Sequence, residues 1–557
     1  MSKKVLIVGG VAGGASCAAR LRRLDEKAEI ILFERGSYIS FANCGLPYHI
    51  GGVIKDRDEL LLQTPESFNS RFNVDVRVNN EVVDIDRKNK QVEVFEGTTG
   101  RRYLESYDVL VLSTGSSPMK PPIPGIDGNG IFQLWNIPDM DRIIEYINAK
   151  SVRNAVVVGG GFIGIEMAEN LMDRGIGVTL VEMLNQVMAP LDFDMAQILH
   201  GHMAEKGLKL VLGDGVSEFM QKDGGITVKT RSGREITADM VVLAIGVVPN
   251  SELLKKSGLP MNKRGGALID EYLMTEDPNI YAVGDMVEVV HFVSGEKRMI
   301  PLAGPANKMG RMAADNICGM NRKYNGSQGT GVVKVFDMTS ASVGLNEKDL
   351  INSGRVIGKD YRVTIIHPGS HAGYYPGAST ITLKLIFDLN GNILGAQAVG
   401  FEGVEKRIDV IATAQRLRAK VQDLEELELN YAPPFSSAKD PVNMAGYTAE
   451  NILAGNMDNI TCAQLPDFKD AIILDVRTPG EVRMGAVPGC LNIPVDSLRE
   501  RIGEIPTGKP VIVYCRVGIR AYIACRILMQ NGFNEVYNLA GGYISYSTLN
   551  SDYTFKA

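Results

Sequence analysis

The feature that most limits what this 557-residue chain can fold into is a strand–glycine loop–helix unit that occurs twice. The first copy runs Lys4-Val5-Leu6-Ile7-Val8 into Gly9-Gly10-Val11-Ala12-Gly13-Gly14. The second runs Ala155-Val156-Val157-Val158 into Gly159-Gly160-Gly161-Phe162-Ile163-Gly164. An unbroken apolar strand feeding a glycine turn and a helix belongs to a parallel sheet covered on both faces. Each copy continues into another apolar strand that closes on an acid, Ile30–Phe33 before Glu34 and Val178–Val181 before Glu182. The strand Asp108–Leu112 ends in Ser113-Thr114-Gly115, and the strand Met240–Ile245 ends at Gly246. The second copy therefore falls inside the first, as an internal duplication of an α/β pattern.

Such a loop aims backbone N–H groups and a helix N-terminus at a pyrophosphate, and an acid about 20 residues on suits a ribose hydroxyl. The first copy implies a dinucleotide held at Gly9, Gly14 and Glu34, although Val11 stands where the middle glycine belongs. The second has Gly159, Gly161 and Gly164, and Glu182 disfavours a 2′-phosphate, which favours NADH over NADPH. Net charge is −6, and 45% of the residues are hydrophobic. That profile argues against nucleic-acid and anionic-membrane partners. No apolar run approaches the ~18 residues of a membrane span. A nucleotide-binding strand beginning at residue 4 leaves no room for a signal peptide, so a cytoplasmic location is expected. The seven cysteines form no C-x-x-C pair, so neither a disulfide framework nor a zinc site is expected.

Ile280-Tyr281-Ala282-Val283-Gly284-Asp285 resembles the second flavin motif of the two-dinucleotide flavin disulfide reductases, and Ser40-Phe41-Ala42-Asn43-Cys44-Gly45-Leu46-Pro47-Tyr48 resembles the coenzyme A-disulfide reductases among them. The similarity covers residues 1 to about 447. It implies FAD at the first loop, with Asp285 on the ribityl chain, and NADH or NADPH at the second. Thr114, Gly115, Gly246, Ser40 and Asn43 join the cofactor-binding set. It also implies coenzyme A, with Arg20, Arg23, Asn307 and Arg311 as contacts. Arg20 and Arg23 share a helix face, which would equally suit a solvated surface.

Cys44 has no near partner, since position 49 is histidine and the next cysteine is Cys318. It suits a mixed disulfide, a persulfide or a sulfenic acid. A nearby flavin and a helix N-terminus are expected to lower its pKa. The resemblance further implies a homodimer with shared active sites, in which tyrosines of the interface domain, Tyr431 and Tyr375 (or Tyr374 in its place), serve the cysteine.

Leu474–Glu481, the loop Cys515-Arg516-Val517-Gly518-Ile519-Arg520 and Leu539–Tyr543 resemble single rhodanese domains, with Ala486 replacing a common histidine. Cys515 would carry sulfane sulfur, with Arg520 and successive N–H groups around it.

The fold expected is α/β, with two Rossmann-like dinucleotide-binding domains and the NAD domain (119–254) inserted in the FAD domain (1–118 and 255–325). An α+β dimerisation domain (326–448), a linker (449–460) and a rhodanese-like α/β domain (461–557) would follow. The expected activity is FAD-dependent NAD(P)H reduction of persulfide, polysulfide or coenzyme A-disulfide bonds. The alternatives are an NADH oxidase or peroxidase using a cysteine sulfenic acid, and a rhodanese module kept only for interaction or sensing.

Overall fold

The computed structural model describes residues 3–222 and 224–555. They form two compact units. One holds the described residues up to Met183 together with Asp214–Gly329, and the other holds Leu184–Gly213 with the described residues from Thr330 on.

In the first unit a parallel sheet of five strands runs in the order Ile280–Ala282, Val109–Leu112, Lys4–Val8, Glu29–Glu34, Asp75–Val78. Val5, Leu6, Ile7, Leu32 and Leu110 are essentially inaccessible. Covering both faces explains why these strands read as continuous apolar runs, each such side chain contributing about 1.5–3 kcal/mol. A second parallel set places Asn154–Val158 between Gly177–Glu182 and Met240–Leu243, with Ile131–Gln133 beside the last. The first sheet is completed by Ile280–Ala282 only after the second has intervened in sequence, which is the expected insertion.

The second unit contains an antiparallel sheet in the order Gly331–Val335, Met338–Gly344, Ile393–Gly400, Ile381–Asp388, Tyr361–Ile366. The helices Val404–Arg416, Val421–Glu426 and Pro441–Leu453 share its core. A further parallel sheet runs Asp458–Ile460, Val536–Leu539, Val511–Tyr514, Ile472–Asp475, Leu491–Asn492. The expected linker at 449–460 is not one. The Pro441–Leu453 helix runs into it, and Asp458–Ile460 is an edge strand on Val536–Leu539. Its polar residues misled because they cap and bond: Tyr522 donates its hydroxyl to Asn451 at 2.9 Å.

Leu184–Gly213, expected within the nucleotide domain, belongs to the second unit through a buried charge cluster. The Lys384 ammonium, 1% exposed, meets Asp192 at 3.1 Å, Asp194 at 2.8 Å and Glu347 at 2.6 Å. Gln397 brackets Asp192, accepting from its N–H and donating to its carboxylate, both at 2.7 Å. A lysine this deep is tolerable because every donor finds an anion. No helix among the described residues is long and apolar enough to cross a membrane.

Candidate functional site

Both glycine loops are built to touch backbone. Gly9 has φ +102°, and a Cβ there would lie 2.1 Å from the Ser113 carbonyl oxygen. A Cβ on Gly14 would meet the Gly9 carbonyl at 1.8 Å. The second loop repeats the design, with Gly159 at φ +109° and a Gly164 Cβ 1.9 Å from the Gly159 carbonyl. A Cβ on Gly161 would meet nothing within 4 Å, so this backbone faces open space and can be approached by a pyrophosphate. Val11, where a glycine was expected, caps the Ala12–Leu24 helix at φ −100°, outside the left-handed region that favours glycine. The two acids brace their own loops. Glu34 accepts from the Gly10 N–H at 2.9 Å, and Glu182 accepts from the Gly160 N–H at 2.6 Å. Gly115 (φ +64°) and Gly246 (φ +107°) turn the chain at the ends of the neighbouring strands. Thr114 donates to the Asn250 carbonyl at 2.9 Å. The half-buried Asp285 carboxylate accepts from Ser116 at 3.2 Å, and burial raises its pKa. These cradles fit two dinucleotides.

Cys44 occupies a 3-10 turn, Asn43–Gly45, that leads into the helix Leu46–Ile50. Ser40 adopts φ +45° and gives its N–H to the Gly10 carbonyl at 2.8 Å, tying the cysteine segment to the first loop. The cysteine helix packs on Phe162–Asp173, the helix that opens at the second loop, where Tyr48 donates to Glu166 at 3.5 Å. Cys44 is free and reaches the surface. In the protein alone its pKa is raised: desolvation comes first, then the carboxylates of Glu166 and Asp285. A five-residue helix offers too little dipole to reverse this. Burial, helped by Glu169, pushes the Glu166 carboxyl up to about 7, while the Tyr48 hydrogen bond opposes the shift. Glu166 was missed in the sequence. Its signal is one acid in the first turns of the otherwise apolar run Phe162-Ile163-Gly164-Ile165. Gly310 was missed too: a Cβ there would lie 2.1 Å from the Gly13 carbonyl, so the Ala303–Ile317 helix meets Ala12–Leu24 at backbone contact.

That contact sets the expected coenzyme A residues side by side. Ser16 donates to the exposed Asn307, and Arg23 and Arg311 are exposed on the same two helices. Arg20 is not a loose surface cation. Its Nε donates at 2.7 Å to Asp315, which is fully buried and also bound by Arg322 at 2.9 Å.

In the second unit the two adjacent candidate tyrosines have different settings. Tyr431 hydrogen-bonds Tyr374 at 2.6 Å between hydroxyls, whereas Tyr375 packs edge-on against His371 at 5.7 Å. Tyr374 is 76% exposed and Tyr375 43%.

The strand Val511–Tyr514 delivers Cys515 to a turn before the helix Ile519–Gln530. Cys515 is buried, and its sulfur accepts from the Gly518 N–H at 3.1 Å, with Gly518 at φ +128°. Arg520 does not face the sulfur alone. It donates to Glu481 at 2.8 and 2.7 Å and also interacts with the Cys515 thiol, and these contacts raise its pKa. Arg520, ahead of Thr478, holds the Glu481 carboxyl down at about 2.

Two glycine cradles, a flavin-motif aspartate and a solitary thiol beside them define a flavin- and pyridine-nucleotide-dependent oxidoreductase, here with a second thiol loop. The chain belongs to the pyridine nucleotide-disulphide oxidoreductase family, which matches residues 3–310, and the dimerisation domain of that family matches residues 330–441. A rhodanese-like domain matches residues 461–548. Members use FAD and NAD(P)H. The chain is similar to the reduced Bacillus anthracis CoADR-RHD, at 50% identity and TM-score 0.96, covering 99% of this chain and 98% of that one. It is also similar to a NAD-dependent persulfide reductase from A. fulgidus, at 38% identity and TM-score 0.90, covering 98% and 99%. The coenzyme A disulfide reductase of Staphylococcus haemolyticus is 36% identical over 452 residues, 81% of this chain and 100% of that protein.

Proposed function

We propose that this enzyme reduces the S–S bonds of coenzyme A persulfides, coenzyme A disulfides or polysulfides with NADH, and that Cys44 is the residue that receives the sulfur. For a persulfide the balance is RSSH + NADH + H⁺ → RSH + H₂S + NAD⁺. FAD, when bound, supplies the electron pair that it takes from the nicotinamide. Gly9, Gly14, Glu34, Thr114, Gly115, Ser40, Asn43 and Asp285 hold that flavin. Gly159, Gly161, Gly164, Glu182 and Gly246 hold the nicotinamide dinucleotide. Arg23, Arg311 and Asn307, with Arg20 braced by Asp315, are the contacts for the coenzyme A phosphates.

Cys44 attacks one sulfur of the substrate, and the second sulfur leaves as a thiolate or hydrosulfide that needs a proton. Glu166 is the group poised to hold it, because its carboxyl titrates near neutrality beside Tyr48 and Cys44. The electron pair then breaks the S–S bond left on Cys44, so that Cys44 returns to the thiolate and the captured sulfur leaves as a thiol or hydrosulfide. The protein acts as a homodimer, and the Tyr374–Tyr431 pair of one protomer serves Cys44 of the other. Cys515, with Arg520, accepts or delivers the outer sulfur as a persulfide. Carrying both modules on one chain raises the effective concentration of one for the other.

The observation that carries this reading is that the Cys44 turn is tied to the first glycine loop through Ser40 and leads into a helix packed on the helix of the second loop, where Tyr48 reaches Glu166. The test is NADH turnover with coenzyme A persulfide, together with mass spectrometry of the unreduced protein. Cys44→Ser should abolish turnover and remove any thiol adduct at that position. Turnover unchanged in this variant, or greater with hydrogen peroxide than with sulfur substrates in the native enzyme, overturns the reading.

A further inference from the structure

His367 follows the edge strand Tyr361–Ile366 of the antiparallel sheet, yet its ring is buried against the rhodanese-like domain. Nε2 lies 3.0 Å from the Gly541 carbonyl oxygen and 3.2 Å from Ser545 Oγ, and Nδ1 lies 3.0 Å from Thr382 Oγ1. A carbonyl only accepts, so Nε2 carries the proton, and Nδ1 must accept from the Thr382 hydroxyl. Burial lowers the His367 pKa to about 4, with the Gly541 bond opposing, so the ring is neutral at working pH. The other polar and charged groups around this small cavity are Asp194, Ser545 and Thr548.

What the ring holds is the turn behind the sulfur-handling loop. Gly541 and Gly542 are both left-handed, at φ +72° and +59°. A Cβ on Gly541 would meet Ser545 Oγ at 1.9 Å and His367 Nε2 at 3.1 Å. A Cβ on Gly542 would meet the Cys515 carbonyl at 2.6 Å. The turn is thus pressed between the imidazole on one side and the Cys515–Arg516 peptide on the other. From it, Tyr543 N–H donates to the Cys515 carbonyl at 2.8 Å and Ile544 N–H donates to the Arg516 carbonyl at 3.2 Å. Those bonds set the peptide planes ahead of Gly518, whose N–H points at the sulfur at 3.1 Å.

We infer that His367, a residue of the interface domain, is a positioning residue for the Cys515 loop, so that the sulfur-binding nest takes its working shape only when the rhodanese-like domain is seated on its neighbour through the His367–Gly541 bond. This deepens the proposed function, because it rests on Cys515 as a sulfur carrier. The step it serves balances with thiosulfate as donor. The Cys515 thiolate attacks the outer sulfur, the S–S bond to sulfite breaks, and sulfite leaves with the electron pair, giving the Cys515 persulfide.

The experiment uses the full-length holoenzyme with His367→Leu, His367→Gln and Thr382→Val. It follows thiosulfate loading of Cys515 by peptide-resolved mass spectrometry and the pH profile of Cys515 alkylation by iodoacetamide. Loss of one buried hydrogen bond translates to roughly tenfold. His367→Leu should slow loading by about tenfold and shift the alkylation profile. His367→Gln, which keeps an N–H for Gly541, should return loading to within about threefold of native. Thr382→Val, which removes only the partner that fixes the tautomer, should fall between. Flavin reduction by NADH should be unchanged in all three. Native loading and an unshifted alkylation profile in the His367→Leu or Thr382→Val protein overturn the inference, as does a His367→Gln protein that loads no better than His367→Leu. If His367→Leu does not fold, the other two variants decide. If native Cys515 takes up no sulfur, the carrier role itself fails, and the alkylation profile still reports whether His367 shapes the loop.

Discussion

Replacing Glu166 by glutamine tests how the Cys44 neighbourhood manages protons. Raising a carboxyl from 4.5 to about 7 corresponds to about 3 kcal/mol against the ionised form, an upper figure for a partly relaxed site. The sign follows from proton uptake. Between pH 4.5 and 7 the unfolded chain has released the Glu166 proton and the folded chain still holds it, so stability falls as pH rises through that window and levels above it. Glutamine has no such charge. Glu166→Gln should therefore match the native protein in melting temperature at about pH 5 and exceed it at about pH 8 by several degrees, less the loss of the weak Tyr48 bond. The same substitution removes a carboxylate that raises the Cys44 pKa, so alkylation of Cys44 should shift to lower pH. NADH-dependent turnover should lose its pH limb near 7 and fall in kcat. Differential melting across that pH range, thiol alkylation and a pH–rate profile read these separately. A variant less stable than native at about pH 8, with an unmoved Cys44 titration, would refute the electrostatic argument.

Gly161→Ala should fold normally and raise KM for NADH about tenfold or more, because the added methyl enters space left for the pyrophosphate. Gly164→Ala should fail to accumulate as soluble protein, because its methyl strikes the Gly159 carbonyl; expression and steady-state kinetics of the pair check both. Lys384→Met leaves Asp192, Asp194 and Glu347 facing one another, and should cost about 3–5 kcal/mol near neutral pH. Glu347 already has a raised pKa from burial, so the penalty should shrink as the solution is acidified and carboxyls take protons, which thermal melts will show. Glu481→Gln removes the anion that aims Arg520, and should slow thiosulfate loading of Cys515 several-fold while leaving NADH-dependent flavin reduction untouched.

Much of this was legible because the glycine loops and the Ile280–Asp285 and Ser40–Tyr48 segments are local. Backbone contact at Gly9 or Gly159 demands glycine wherever the rest of the chain goes, and the sequence shows it. Long-range partners were not legible. Arg20 reads as a surface cation until Asp315, 295 residues away, is seen beneath it. Tyr374 and Tyr375 are adjacent, and only the hydroxyl reaching Tyr431 separates them. The raised Cys44 thiol depends on burial first and then on Glu166 and Asp285, which come from a helix and a turn far along the chain. The 449–460 stretch looked like a tether because polarity alone does not distinguish a solvated chain from one bonded along an edge.

The last described residues also bear on how modules were joined. Gln197 donates to the Ser551 carbonyl at 2.9 Å, Phe555 N–H donates to the Leu210 carbonyl at 2.7 Å, and the Tyr553 ring lies against Gly201. The tail is thereby stitched to a segment drawn from the middle of the chain. Clipping the rhodanese-like portion away would uncover the Phe193–Glu205 helix and take from the Gln197 amide N–H the carbonyls of Thr548, Leu549 and Ser551. The fusion here is woven in rather than merely appended.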